Sequence, residues 1–198
     1  MFKKIKSLIE NKKIKNTIIK TKQNVLKRSQ EIDFDLLGRS LSCNPYLPRG
    51  VDSIYESNLD SIHNEKLQTK IINSIQEAEG IESKIIAINT ILKNDLSLIS
   101  NIRRYTPKLI IHYDLFISKY QILESAVYGA DAIVLNSTIL GEDSFLTLHN
   151  FATRLGLFII AEIYDKKDLE IFMNLDIAFY RLMNLTLNTS LSRIIEFK

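Results

Sequence analysis

The amino-acid sequence predicts an α/β fold made of repeated βα units around a parallel sheet. Five short apolar runs lie between residues 84 and 182, and segments with helical periodicity separate them. The runs begin 20 to 26 residues apart, which is the length of one strand–helix unit. Their hydrophobicity is continuous rather than alternating, which is typical of strands buried on both faces and therefore of parallel strands.

Length and composition favour one ordinary globular domain. The chain has 198 residues, of which 45% are hydrophobic and 25% charged. Its single cysteine, Cys43, has no internal partner for a disulfide, which favours a reducing compartment, and we expect the cytoplasm. No apolar stretch reaches the roughly 18 residues of a membrane span, and no apolar core of a secretory signal follows the first lysines.

Residues 1–31 are predicted to form a separate basic amphipathic helix. They carry ten Lys/Arg and two Asp/Glu, whereas residues 32–198 carry sixteen and twenty-one. Apolar residues recur at three- and four-residue intervals, so we expect the helix to pack on the protein's own body with its lysines in solvent. The alternatives are that this helix binds nucleic acid, an anionic membrane or a partner protein. Nucleic acid and membrane are disfavoured because Phe2 is the only aromatic residue in the apolar stripe.

The remaining elements follow in chain order. The segment 38–64 contains two of the three prolines and is predicted to be irregular, with a possible sixth strand near 36–42. Gly129 and Gly156 stand where helices should end before the next strand. The other predicted elements are a helix at 66–79, strands at 84–89, 108–113, 131–136, 157–162 and 177–182, and helices at 95–104, 118–128, 143–155 and 166–174.

Five or six strands are too few for a complete eight-stranded barrel, which needs about 250 residues. Residues 32–198 are therefore predicted to form a partial or shortened TIM-type barrel of five or six parallel strands. An open parallel sheet exposes two edges, so we expect a protein partner or a second copy of the chain to cover them.

One region is specific enough to indicate a family. Residues 114–135 contain Tyr-Gln-Ile and Gly-Ala-Asp-Ala, and residues 155–165 contain Leu-Gly-Leu and Ala-Glu-Ile-Tyr-Asp. Over 107–170 the chain resembles indole-3-glycerol phosphate synthase, a (βα)8 barrel of the tryptophan pathway, and 84–101 overlays that family's second strand and helix. The resemblance implies a phosphorylated small-molecule substrate, no cofactor, and an indole ring closure that releases carbon dioxide and water.

The resemblance places only some of the family's site residues on this chain. The fifth-strand glutamate is present as Glu162. The family's third-strand lysine, which is its general acid, aligns with Tyr113. The arginine that precedes this lysine in the family aligns with His112. The sixth-strand asparagine falls on Met183 or, with a one-residue slip, on Asn184. The first-strand glutamate and lysine have no convincing counterpart.

Substrate binding has weaker candidates. The family grips phosphate with its last two βα units, which we expect to lie beyond Lys198. Arg49, Arg181 and Arg193 are the alternative phosphate ligands, and His112 is a further candidate for substrate binding. The histidines lack the spacing of metal ligands, so no metal site is predicted.

The sequence is compatible with three functions. The chain is a catalytically impaired or inactive relative with a structural or partner-binding role, an active synthase with a rebuilt site, or a binder of anionic surfaces through its N-terminal helix. The first is favoured because Glu162 is the one strong catalytic match.

Overall fold

The computed structural model describes residues 2–49, 67–78, 81, 83–93, 95–183 and 194–197. Its α-helices are α1 Phe2–Glu31, α2 Phe34–Ser40, α3 Ser97–Tyr105, α4 Lys119–Tyr128, α5 Ser137–Arg154 and α6 Lys166–Phe172. Its strands are β1 Leu67–Ile72, β2 Ile85–Asn89, β3 Leu109–Tyr113, β4 Ala132–Asn136, β5 Phe158–Ile163, β6 Phe179–Leu182 and β7 Ile195–Phe197. Short 3₁₀ helices lie at Leu41–Cys43 and Gln76–Ala78.

The seven strands form a nearly closed parallel barrel. Their order is β6-β5-β4-β3-β2-β1-β7, and every pair is parallel. A parallel bridge between Tyr180 and Ile194 connects β6 to the start of β7 and completes the ring. The predicted α/β barrel is confirmed, but the count of five or six strands was too low. Since this bridge joins the two outer strands, the described part of the chain does not have the two fully open sheet edges for which a covering partner was expected.

Two predicted elements were wrong. Residues 66–79 were predicted as a helix, but they contain β1, because pairing with β2 on one side and β7 on the other outweighs their helical spacing. The possible strand near 36–42 belongs to α2 and the following 3₁₀ turn. There the Asp33 carboxylate caps α2 by accepting a hydrogen bond from the Leu36 N–H at 2.8 Å.

The other predicted elements are confirmed, with shifts at their ends. The five apolar runs are β2 to β6, and helices follow at each predicted place. Gly129 ends α4 in the left-handed region at φ 89°, where a Cβ would lie 3.0 Å from Tyr46. Glycine is therefore required at that position by both conformation and space.

Side chains alternate between two cores along each strand. One set fills the barrel interior and leaves a void of only about 10 Å³. The opposite set packs beneath the helices. The interior set consists of Ile85, Ala87, Leu109, Ile111, Ala132, Val134, Ile160, Ala178, Phe179 and Ile195. This alternation confirms the prediction that the strands are buried on both faces.

The C-terminal half of α1 packs on α4. The Arg28 guanidinium binds both carboxylate oxygens of Glu124, at 2.6 and 2.9 Å. The Tyr120 hydroxyl lies within 3.0 Å of the Arg28 and Ile32 carbonyl oxygens. The predicted packing of this helix on the body is therefore observed. No helix in the described part of the chain has the length and hydropathy to cross a membrane.

A buried carboxylate holds the N-terminal ends of β3 and β4. Asp131 has no exposed surface, and it accepts hydrogen bonds from Arg49, Arg103 and the Ile110 N–H. Arg49 also donates to the Pro107 carbonyl at 2.6 Å. The cluster thus links the loop before β1, helix α3 and two strands through one charge.

A second buried polar cluster lies between β3 and α4. The His112 ring is 1% exposed and contacts the hydroxyls of Thr90 at 2.7 Å and Ser125 at 2.8 Å. The Ser125 hydroxyl donates to the Gln121 carbonyl, so its oxygen accepts from Nδ1–H of His112. Burial, and then the charge of Arg28, lower the pKa of His112 to about 3, so the ring is neutral at physiological pH.

We expect Asp131→Asn to destabilise the fold strongly, because it leaves Arg49 and Arg103 without their shared buried counter-charge. The free energy of unfolding in urea should fall by about 3 kcal/mol or more. Glu170→Gln is the control, since Glu170 makes an exposed i,i+4 pair with Lys166. That change should cost about 0.5 kcal/mol or less. Equal effects of the two variants would contradict the structural role of Asp131.

We expect His112 to make stability depend on pH. The unfolded chain binds a proton at His112 below about pH 6.5, whereas the folded chain does so only near pH 3. Stability is therefore fully present above pH 6.5 and is lost as the pH falls, by about 1.4 kcal/mol per pH unit. Urea unfolding of the wild type and of His112→Gln between pH 4 and 7 isolates this slope. Parallel pH profiles for the two proteins would contradict it.

Candidate active site

Inward-facing polar side chains converge at the C-terminal end of the barrel. They are the last inward residues of four consecutive strands: Tyr113 on β3, Asn136 on β4, Glu162 on β5 and Arg181 on β6. The strand register places Asn136 beside Glu162 and Glu162 beside Arg181. Because parallel strands end at one edge of a barrel, their terminal side chains form a single layer.

The Glu162 carboxylate is the centre of this layer. Its residue is 4% exposed. Arg181 donates to Oε1 in an ion pair, and Asn136 donates to Oε2 at 2.9 Å. Asn136 also donates to the Tyr164 hydroxyl at 3.0 Å. Each oxygen of the carboxylate therefore already accepts a hydrogen bond within the protein.

The Arg181 guanidinium is held by aromatic rings as well as by charge. It lies 4.4 Å from the ring centre of Phe197 and 5.3 Å from that of Tyr113, and it donates to the Tyr113 hydroxyl at 3.0 Å. Burial opposes the charge on Arg181, but the Glu162 carboxylate and the Tyr113 hydroxyl outweigh it and raise the guanidinium pKa. Arg181 is therefore a permanent cation bound to Glu162.

Tyr113 is a weak acid in this position. Burial first, and then the neighbouring Glu162 carboxylate, raise the pKa of its phenol above the ordinary value of 10. Its ring also packs edge-on against Phe197, with ring centres 5.3 Å apart. The phenol therefore stays protonated at neutral pH and is fixed in place.

An open cavity of about 220 Å³ lies above this layer. Its walls come from the strand ends, the loops after β2 and β3, and helix α1. The described lining residues are Lys13, Ile14, Thr17, Ile91, Tyr113, Asp114, Leu115, Asn136, Ile139, Glu162 and Tyr164. Burial raises the pKa of the Asp114 carboxyl, which the Leu115 N–H and the Gln121 amide bind. Within the described residues, no group of three His, Cys, Asp or Glu is placed to hold a metal ion.

The structure brings together three of the predicted site residues, Glu162, Tyr113 and Arg181. His112 precedes an inward residue on β3, so it points outward beneath α4 and away from the cavity. Arg49 lies at the opposite end of the barrel, on Asp131. These two placements do not support the predicted part in substrate binding. Asn184 and Arg193 lie outside the described residues.

Two residues of the site were missed from the sequence. They are Asn136 and Tyr164, and the Asn136 amide donates to the Tyr164 hydroxyl at the cavity. The amide oxygen of Asn136 also caps α5 by accepting a hydrogen bond from the Ile139 N–H. The signal for Asn136 was present, because it ends a predicted strand two residues after the inward Val134. Two-residue periodicity from the apolar interior therefore identifies it.

Comparison with solved structures supports the fold. The tryptophan synthase alpha chain from Legionella pneumophila matches 70% of this chain and 68% of its own, with a TM-score of 0.53. The sequence identity is only 10%, so the match concerns the fold alone.

Comparison of sequences is more specific. The indole-3-glycerol phosphate synthase from Campylobacter hominis is 34% identical over 167 residues, which are 76% of this chain and 64% of the relative. The synthase from Campylobacter jejuni subsp. jejuni is 32% identical over 183 residues, or 80% and 68% of the two chains. This chain thus spans about two thirds of the length of these relatives.

The sequence profile of one family covers most of the barrel. The profile for indole-3-glycerol phosphate synthase matches residues 62–188, which include β1 to β6 and the polar layer around Glu162. Together with the relatives above, this match shows that the chain belongs to the indole-3-glycerol phosphate synthase family.

Proposed function

We propose that this chain is a catalytically impaired member of the indole-3-glycerol phosphate synthase family that keeps its barrel and cavity for binding. The observation that supports this most directly is the ion pair between Arg181 and Glu162. The family resemblance assigns Glu162 to the family's fifth-strand glutamate, and in this chain an internal cation holds it.

The ion pair restricts what Glu162 can do. A carboxylate that acts on a substrate must offer a lone pair to it, whereas Arg181 and Asn136 each already donate to one oxygen of Glu162 and fix its orientation. Separating a buried ion pair without replacing its contacts costs several kcal/mol. A substrate that displaces Arg181 from Glu162 has to supply that energy from its own binding.

Loss of the general acid acts in the same direction. The family's third-strand lysine corresponds to Tyr113, whose raised pKa makes proton release harder than from a free phenol. A mobile ammonium reaches and follows a reacting oxygen, whereas the Tyr113 ring is packed against Phe197. General acid catalysis typically contributes about 10²–10⁴-fold, so its loss alone is severe.

The alternative function is an active synthase with a rebuilt site. The observation in its favour is that the cavity of about 220 Å³ stays open above Glu162. A structural or partner-binding role without any small-molecule ligand makes no use of this cavity, so binding of a small molecule is preferred.

We expect the purified chain to convert the carboxyphenylamino-deoxyribulose phosphate substrate at least about 100-fold more slowly than the Campylobacter jejuni synthase, since the general acid is missing. Fluorescence of the indole product measures the rate. Tyr113→Lys should not restore it, because Arg181 still occupies Glu162. A tryptophan-requiring bacterial strain that carries the gene should remain unable to grow without tryptophan.

If turnover is seen, a pair of matched variants shows whether it occurs at the site around Glu162. Glu162→Gln tests the proposed site, and Glu170→Gln makes the same chemical change on the exposed face of α6. Turnover close to that of the relative, abolished by Glu162→Gln and unchanged by Glu170→Gln, would contradict the proposal and establish an active synthase.

A further inference from the structure

The helical layer around the barrel has a gap over β1 and β2. An α-helix connects each pair of consecutive strands from β2 to β6, whereas the described residues between β1 and β2 contain only the 3₁₀ turn Gln76–Ala78. Helix α3 therefore lacks the helical neighbour that a complete βα unit would place on its β1 side.

An open groove of about 720 Å³ lies in this gap. One wall is the segment that follows β1, and the other is the end of α3 with the loop that leads into β3. The apolar side chains of the described lining are those of Ile75, Ala78, Ile81, Ile102, Tyr105 and Pro107. Because Pro107 lies just before β3, the groove is near the N-terminal ends of the strands. It is therefore separate from the candidate active site, which lies at the C-terminal ends.

A tyrosine ring projects beside the groove. Tyr105 is the last residue of α3 and is 81% exposed, more than any other large hydrophobic side chain in the described part of the chain. Ile75, on the facing wall, is also exposed. Tyrosine is one of the residues that most often supply the binding energy of protein interfaces. A projecting ring and an apolar groove thus lie side by side on one surface.

The two walls of the groove also carry opposite charges. Glu77 is exposed on the 3₁₀ turn of one wall, and Lys108 lines the other. Among the described residues, neither side chain has an ion-pair partner. Lys108 donates to the Ile81 carbonyl, and Glu77 accepts from the Asn73 N–H at 2.9 Å. Both charges are therefore available to a group that docks on this surface.

We propose that this surface is the two-fold interface of a homodimer, in which Tyr105 of each copy enters the groove of the other. A two-fold interface uses the same patch on both copies, so the patch must be complementary to itself. This patch combines a ring with a groove and a negative wall with a positive one. A ligand confined to the groove would leave Tyr105 in water, whereas a second copy covers the ring and the groove together.

Sedimentation velocity of the full-length chain, from micromolar to millimolar concentration, tests this inference. The patch spans the width of one missing helix, so we expect a weak dimer that forms within this range. Tyr105→Ser removes the ring twice per dimer and should weaken dimerisation about 100-fold or more. Met173→Ser is the matched control and should leave the dimer unchanged. Met173 is an exposed apolar residue at the end of α6, on another side of the barrel.

Two mixtures of variants test the two-fold geometry. Ala78→Trp fills the groove and should weaken the dimer as Tyr105→Ser does. An equimolar mixture of the two should recover dimers, because the ring of the first variant enters the open groove of the second. Glu77→Lys and Lys108→Glu should each weaken dimerisation about tenfold or more through like-charge contacts, and their mixture should restore it. Circular-dichroism melts close to that of the wild type show that each variant is folded.

Three outcomes would overturn the inference: a wild type that stays monomeric at every concentration, a dimer that Tyr105→Ser does not weaken, or folded variants whose mixtures form no more dimer than each variant alone. A monomeric wild type that binds an apolar fluorescent dye, with the binding lost in Ala78→Trp, would assign the groove to a foreign ligand and equally overturn it. None of these results depends on turnover, so they are distinct from failure of the proposed function.

Discussion

The ion pair between Arg181 and Glu162 constrains the whole C-terminal end of the barrel. It connects β5 to β6, and it directs Asn136 to the second oxygen of the carboxylate. It also places a guanidinium beside the rings of Tyr113 and Phe197, which contact each other. The same side chain therefore stabilises the strand ends and occupies the group on which the family's chemistry depends.

Strand β7 makes this arrangement possible. It pairs with β1 and is bridged to β6, so it nearly closes a ring of seven strands and places Phe197 over Arg181. Closing a barrel with fewer strands reduces its interior, and side chains fill what remains. The open space lies above the ring, where α1 covers one side of it. A helix that the sequence marks only as basic and amphipathic thus becomes part of the candidate site.

Local sequence patterns predicted most of the fold, because β2 to β6 are continuous apolar runs separated by helices. They failed for β1, whose apolar residues fit a helical spacing and whose state depends on pairing with distant strands. In the candidate site, the family resemblance pointed to Glu162 and Tyr113, which the structure brings together through Arg181. It did not predict that Arg181 binds Glu162, since that contact depends on the register of β5 and β6. The side chain of His112 lies away from the cavity, because strand alternation turns it to the opposite side from its neighbour Tyr113.

A double-mutant cycle tests the central claim that Arg181 holds Glu162. The free energy of unfolding in urea is measured for the wild type, Arg181→Met, Glu162→Gln and the double variant. Because both side chains are largely buried, the structure predicts a coupling of about 2 kcal/mol or more. Effects that add to within about 0.5 kcal/mol would show that the two residues act independently and would contradict the account.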